Sequence, residues 1–242
     1  MKKGEVLIVS LVFFTCLSAL PLFADVNTVA LQSKVLESFD GDSDYDWRTD
    51  GIAKDVLKKD SSLFPVYPQA LFRTPEETEG KQSFGLNGQF RRQGYNWIDI
   101  YPVTKENPDA PAEIPMEGDV RYLDVWVWGS NLNYRLEGYI RDYRGMVHRV
   151  DFGSLAFFGW KDLTAAVPAN FPMTDRALPI RKVSSKFVKF RLWTGPDERV
   201  NNFYLYLDQL KVLSDIFKTR FDGDELADYD REQEMWAGVN QQ

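Results

Sequence analysis

Tyr122-Leu-Asp-Val-Trp-Val-Trp128 alternates strictly between two sets of side chains, and that alternation sets the fold class. In an extended strand successive side chains point to opposite faces. Leu123, Val125 and Val127 therefore share one face, and Tyr122, Asp124, Trp126 and Trp128 share the other. Gly129-Ser-Asn131 ends the run. Working outward, Asn133 to Asp142 alternates too, with Leu136, Gly138 and Ile140 opposite Arg135, Glu137, Tyr139 and Arg141. Tyr143-Arg-Gly145 is a turn, and Met146 to Phe152 pairs back as a hairpin. Phe187 to Trp193 sets Val188, Phe190 and Leu192 against Lys189, Arg191 and Trp193, and Phe203 to Leu213 reads as a last long strand. Ser33 to Phe39, Ser83 to Phe90 and Trp97 to Pro102 are strand candidates nearer the N-terminus.

Short strands separated by turns of uneven length predict an all-β chain folded as a two-sheet antiparallel β-sandwich of jelly-roll type. Aromatics make up 14% of the residues, and 12 prolines and 16 glycines punctuate the chain, as β structure with many turns requires. Pro102, Pro108, Pro111 and Pro115 mark Tyr101 to Gly118 as a surface loop. Asp40 to Thr78 and Leu155 to Arg181 read as irregular, with a short helix around Ile52 to Lys59. After Ser214 the chain turns acidic and poor in strand signals, and the spacing over 224–236 suits a helix. Ile216, Phe217, Phe221, Leu226, Tyr229, Met235 and Trp236 make that stretch too apolar for a purely solvated tail. The expected organisation is a leader over residues 1–24, a sandwich over 25–214 and an acidic arm over 215–242.

The leader is read from Lys2 and Lys3, an apolar run from Val6 to Leu20, Pro21, and Leu22-Phe-Ala24 before the polar Asp25. This is the layout of a cleavable signal peptide, and the run is shorter than the roughly 20 residues that cross a bilayer. Cys16 is the only cysteine, so cleavage after Ala24 leaves no thiol for nucleophilic, zinc or redox chemistry. The formal net charge of −7 argues against nucleic acid and anionic membrane as partners. A non-membrane location in an extracytoplasmic space follows as the expectation.

Catalytic signals are weak. His148, the only histidine, lies between Val147 and Arg149 with no nucleophile motif near it, so it reads as a strand residue. Carboxylates are abundant, but Glu113 and Glu137 carry no pattern that marks an acid–base pair. Asp40-Gly-Asp-Ser-Asp-Tyr-Asp46 has the alternating carboxylates of a calcium loop, yet Tyr45 occupies the place of the turn glycine and Gly51 that of the closing glutamate. Jelly-roll topology suggests another metal site. The first and last strands lie side by side, so Glu37 and Asp208 become candidate ligands of a structural calcium. The Tyr122, Asp124, Trp126, Trp128 face has two readings. It is half of the sandwich core, the reading we favour because both faces of the strand are apolar, or it is an open surface whose rings stack on a ligand or partner.

Gly145-Met-Val-His-Arg-Val-Asp-Phe-Gly-Ser-Leu-Ala-Phe-Phe-Gly-Trp-Lys-Asp-Leu163, Lys186-Phe-Val-Lys-Phe-Arg-Leu192 and Tyr204-Leu-Tyr-Leu-Asp-Gln-Leu-Lys-Val-Leu213 are together familiar. Over Val35 to Ser214 the chain resembles the spirochaete flagellar filament outer layer protein family, the sheath of periplasmic flagella. That resemblance implies a β-sandwich similar to carbohydrate-binding modules, a periplasmic location, and a structural rather than enzymatic role. It also implies partners: a flagellin core filament, other copies or paralogues of the sheath protein, and glycan on the core. A coat subunit needs open-ended lateral contacts, and Trp47, Trp97, Trp160, Trp193 and Trp236 are candidate anchors for them. The alternative the residues leave open is a periplasmic glycan-recognising module.

Overall fold

The computed structural model describes residues 29–51, 56–174 and 184–217, with positions 233, 236 and 237 in isolation. The expected leader, Cys16 and most of the acidic arm, including most of the helix expected over 224–236, lie outside the described residues. Within them run β1 (Leu31–Glu37), β2 (Tyr45–Gly51), β3 (Val56–Phe64), β4 (Ser83–Phe90), β5 (Trp97–Thr104) and β6 (Ile114–Met116). These are followed by β7 (Asp119–Ser130), β8 (Arg135–Arg141), β9 (Val147–Ser154), β10 (Phe158–Ala166), β11 (Ser185–Trp193) and β12 (Phe203–Asp215).

The strands make two antiparallel sheets of six. The first runs β10-β7-β12-β4-β3, with β1 paired to the C-terminal half of β12. The second runs β2-β5-β11-β8-β9, with β6 paired to the start of β11. From β4 onward the chain switches between sheets, staying within one only at the β5–β6 connection and the β8–β9 hairpin. β12 returns between β4 and β7, and β11 returns between β5 and β8. That double wrap is the jelly roll the sequence predicts.

Alternation delivers the core. Leu123, Val125 and Val127 of β7 are fully buried, as are Leu136 and Ile140 of β8 and Phe190 and Leu192 of β11. Each such side chain contributes about 1.5–3 kcal/mol on burial. Trp47 inserts among Phe39, Phe84, Phe187 and Phe190, with ring centroids 5.0–6.4 Å away. At one end of the sandwich Phe203 stacks on Phe90 at 5.4 Å, directly over Gly88. A Cβ at Gly88 would lie 2.0 Å from the Phe203 ring, so only glycine admits that stack. Buried Tyr134 packs beside the pair, and its hydroxyl donates to the Arg199 carbonyl, tying the 194–202 loop down.

Several elements depart from the expectation. Val56–Phe64 is a strand, not the end of a short helix. The stretch taken as irregular after Asp40 also holds β2, and the one after Leu155 holds β10, which pairs with β7 over nine residues. The proline-rich loop contains β6, where Ile114 and Met116 point inward and Pro115 faces solvent at a position that needs no donor. In β11 a bulge between Phe187 and Lys189 moves Val188 off the core face and puts Phe187 there instead. The last strand ends at Asp215, one residue beyond the expected domain edge.

Candidate functional site

The Tyr122, Asp124, Trp126, Trp128 face is not core. It lies on the outer surface of the first sheet, because the opposite face of β7 already fills the interior. Tyr122 is 45% exposed, and Asp124, Trp126 and Trp128 are half-buried. Neighbouring strands extend the face. Trp160 of β10 and Tyr206 of β12 stand opposite Trp128 on its two sides. Phe158, Trp128, Tyr206 and Phe64 meet edge to face at 5.2, 5.7 and 5.8 Å. This band reaches from β10 to β3, four inter-strand spacings or about 19 Å. Gly85 of β4 makes it continuous, since a Cβ there would lie within 2.5–2.9 Å of the Phe64 and Tyr206 rings. A groove of about 300 Å³ opens beside Phe64, Tyr204 and Tyr206. Phe158 is 78% exposed, so the band ends in an apolar side chain with little cover. Further along β7, burial and the Asp162 charge push the Asp124 carboxyl up, and Lys211 at 3.8 Å partly offsets them.

The two candidate calcium ligands sit on adjacent strands but in different surroundings. Glu37 is buried and wrapped by donors: the Phe39 N–H at 2.9 Å, the Ser43 hydroxyl at 2.8 Å and the Trp47 indole N–H at 3.2 Å. Asp208 is 2% exposed and lies beside Ser83 and the Gln209 N–H. Burial pushes its carboxyl up to about 7, with the Asp40 charge adding to the rise and Lys81 opposing it. Lys81 itself binds Asp40 at 2.6 Å, so an ammonium group stands among the acidic side chains of this corner. Asp42 of the acidic turn accepts from the Ser38 hydroxyl. Among the described residues no three His, Cys, Asp or Glu side chains gather in a metal-holding group. The donors on Glu37 do not fit a cation shared with Asp208.

His148 pairs through Nε2 with Asp142 Oδ2 at 2.7 Å and stacks on Phe171 at 4.1 Å. Asp142 also accepts the Arg144 and Met146 N–H groups, so the pair closes the β8–β9 turn. Glu113 is held by Arg141. Of the five candidate tryptophan anchors, Trp47 is a core residue; Trp97, Trp160 and Trp193 are half-buried on outer faces; Trp236 is 60% exposed.

The outer face of the second sheet carries a network that local sequence does not announce. Glu137 of β8 is only 3% exposed although it points away from the core. It accepts from Trp193 Nε1 at 2.8 Å, Arg149 at 2.8 Å and the Tyr139 hydroxyl at 3.1 Å. Next to it Asp99 takes both Arg191 and Lys189 at 2.6–2.8 Å. The Arg191 guanidinium lies 4.1 Å from the Trp97 ring and 5.4–5.5 Å from Tyr139 and Trp193. No helix among the described residues is long and apolar enough to cross a membrane.

The family model described as flagellar filament outer layer protein matches residues 23–222. A Brachyspira hyodysenteriae protein described as flagellar filament outer layer-like is 30% identical over 137 residues, covering 57% of this chain and 59% of that one. The flagellar filament outer layer protein of Borreliella burgdorferi is 26% identical over 113 residues, covering 43% of this chain and 33% of its own. The chain therefore matches less than two thirds of the length of either relative. Among solved structures, TmCBM61 in complex with beta-1,4-galactotriose matches with a TM-score of 0.40 at 11% identity, covering 75% of this chain and 99% of that one. The family 11 carbohydrate-binding module of a Clostridium thermocellum cellulase matches with a TM-score of 0.39 at 11% identity, covering 76% and 95%.

Proposed function

The chain belongs to the flagellar filament outer layer protein family, and from that premise we propose that it is a structural sheath subunit of the periplasmic flagellum. It coats the flagellin core, contributes to filament shape and stiffness and so to motility, and reaches the periplasm by a cleavable signal peptide. The observation that carries this reading is the family match over residues 23–222. The outer aromatic band supports it. Edge-to-face rings from four strands, ending in exposed Phe158, form the kind of Trp- and Tyr-rich patch that dominates protein interfaces. Its partners in this reading are neighbouring copies or paralogues and the core filament. A patch used once on each subunit against a different patch on the next makes an open-ended lattice rather than a closed dimer.

Filaments purified from the source cells provide the test. This chain should be found in them, and Trp128→Ala combined with Phe158→Ala should reduce its incorporation while leaving its melting temperature within a few degrees. Absence of the chain from purified filaments would reject the sheath role. Undiminished incorporation of the double variant would reject the band as the contact face.

A further inference from the structure

The geometry points to a saccharide-binding cleft on the outer face of the second sheet, built by Tyr95, Asn133, Glu137, Tyr139, Arg149 and Trp193. It lies on the opposite side of the sandwich from the aromatic band, and it stands whether or not the chain joins a filament.

The cleft encloses about 420 Å³, within the roughly 300–1,000 Å³ of small-ligand sites. Its floor is β8 and β11, and the loops before β5 and after β11 close one side with Tyr95 and Gly195-Pro196. Two features mark it as a prepared surface. First, a buried carboxylate fixes the aromatic groups. Trp193 and Tyr139 both donate their polar hydrogens to Glu137 Oε2, so their rings are held in set orientations. Tyr95, 74% exposed, stands at the rim and supplies a third ring that nothing in the sandwich core needs. Second, the polar groups around these rings keep unused capacity. Asn133 Oδ1 accepts from Ser154, which leaves its amide hydrogens free to donate. The Tyr139 hydroxyl gives its one hydrogen to Glu137 and can still accept. Arg149 spends NH1 on Glu137 and has further N–H groups on an exposed side chain.

The charge balance selects the ligand class. Arg149 is neutralised by Glu137, and Arg135 by Asp151. An anion such as phosphate would therefore meet no uncompensated cation among the lining residues. A neutral ring with an apolar face and a fringe of hydroxyls suits both the ring planes and the mixed donors and acceptors. One or two sugar rings meet that description.

The probes are cellobiose, maltose, lactose and N,N′-diacetylchitobiose, each titrated into the purified full-length chain by calorimetry and intrinsic tryptophan fluorescence. At least one should bind in the millimolar to micromolar range and change the fluorescence. Trp193→Ala and Tyr95→Ala should each weaken that binding about tenfold or more, a loss equal to one good contact. Trp128→Ala on the other sheet should leave it unchanged. Trp193→Ala also strips a donor from buried Glu137 and can harm folding, so exposed Tyr95 is the deciding variant. Failure of all four sugars to bind overturns the proposal. So does binding that survives Tyr95→Ala, and so does displacement of the sugar by inorganic phosphate, which would make the site an anion site.

Discussion

Replacing Asp208 with asparagine should make this protein more stable at neutral pH, and the structure gives the size and the pH window of the effect. Ser83 Oγ has one hydrogen, and the short 2.6 Å bond to the Val66 carbonyl takes it. What Ser83 then presents to Asp208 Oδ2 at 3.3 Å is a lone pair. A protonated Asp208 donates into that lone pair, whereas an ionised one faces it with nothing between. Burial, the first cause of the upward shift to about 7, acts in the same direction. The unfolded chain ionises this carboxyl near its ordinary value of 3.8. Between about pH 4 and pH 7 the folded state thus holds one proton more than the unfolded state, and stability falls as pH rises. The contribution is fully present below about pH 4 and is lost by about pH 7, above which the profile is flat. Three pH units at about 1.4 kcal/mol each make the loss on the order of 4 kcal/mol.

Asparagine reproduces the protonated form. Its amide donates to Ser83, and its carbonyl oxygen still accepts the Gln209 N–H that Asp208 accepts at 2.8 Å. Urea unfolding of both proteins from pH 3 to pH 9, in chelator, is the assay. The variant should match the parent within about 1 kcal/mol at pH 3 and exceed it by several at pH 8, which is about 8–16 °C in Tm for a domain of this size. A variant less stable than the parent at pH 8, or a difference that does not change with pH, would show that Asp208 is ionised in the folded state and refute the reasoning.

Gly88→Ala should cost about 1–3 kcal/mol in urea unfolding, because its Cβ would overlap the Phe203 ring that stacks on Phe90. Asp142→Ala should cost about 1.5–3 kcal/mol at pH 7, since it removes the acceptor for His148 and two turn N–H groups. Burial raises the Asp142 carboxyl, but those bonds outweigh it and hold the group below its ordinary value. Its stabilisation is therefore present above about pH 4 and lost as pH falls below, so the variant's acid unfolding limb should be the shallower one. A calcium ion shared by Glu37 and Asp208 would have to displace Ser43 and Trp47 from Glu37, so calcium or chelator should leave the melting temperature unchanged; a rise with calcium would restore the shared-ion reading. Asp215 accepts from Ala30 and Phe217, and the Ile216 N–H donates to the Ala30 carbonyl. A chain ending at Phe217 should therefore melt like the full chain yet fail to enter filaments, whereas one ending at Ser214 should also lose stability; normal incorporation of the longer truncation would refute an assembly role for the arm.

The strands that could be read from sequence are those whose inner face is filled by their own large side chains. β7, β8 and β11 place Leu, Val, Ile or Phe at alternate positions, and β4 matches its expected bounds from Ser83 to Phe90. β2, β3 and β10 are edge strands, and their signal is weak for that reason. β10 buries only Leu163 and Ala165, and β2 buries only Trp47. Bulges defeat simple alternation elsewhere. Gln209 adopts φ 48°, which reverses the parity of β12, so Leu207 and Leu210 both face inward across the bulge. The Trp126 and Trp128 face was legible as residues but not as an orientation, because alternation tells which side chains go together and not which side meets the other sheet. The saccharide cleft was not legible at all. Glu137 and Trp193 are 56 residues apart, and Asp99 and Arg191 are 92 apart. No local spacing encodes either contact; both follow from the return of β11 between β5 and β8.

That return also separates two kinds of outer surface. On the first sheet the exposed groups are mostly rings touching rings, with Asp124 partly desolvated beside Lys211. Such a surface gains by excluding water across its whole width, and a large partner is the only thing that can do so. On the second sheet Trp193 and Tyr139 are tied to Glu137, whose charge Arg149 balances, so much of the polar bonding is already satisfied before anything binds. Covering that surface with a protein face would desolvate paired charges for little return, whereas a small ligand can use the ring faces and leave the ion pairs at the edge in water. The net charge of −7 adds a long-range repulsion between copies. In the proposed sheath role, assembly would therefore depend on the short-range burial that the aromatic band supplies, and the polar sheet would stay open while the band is covered.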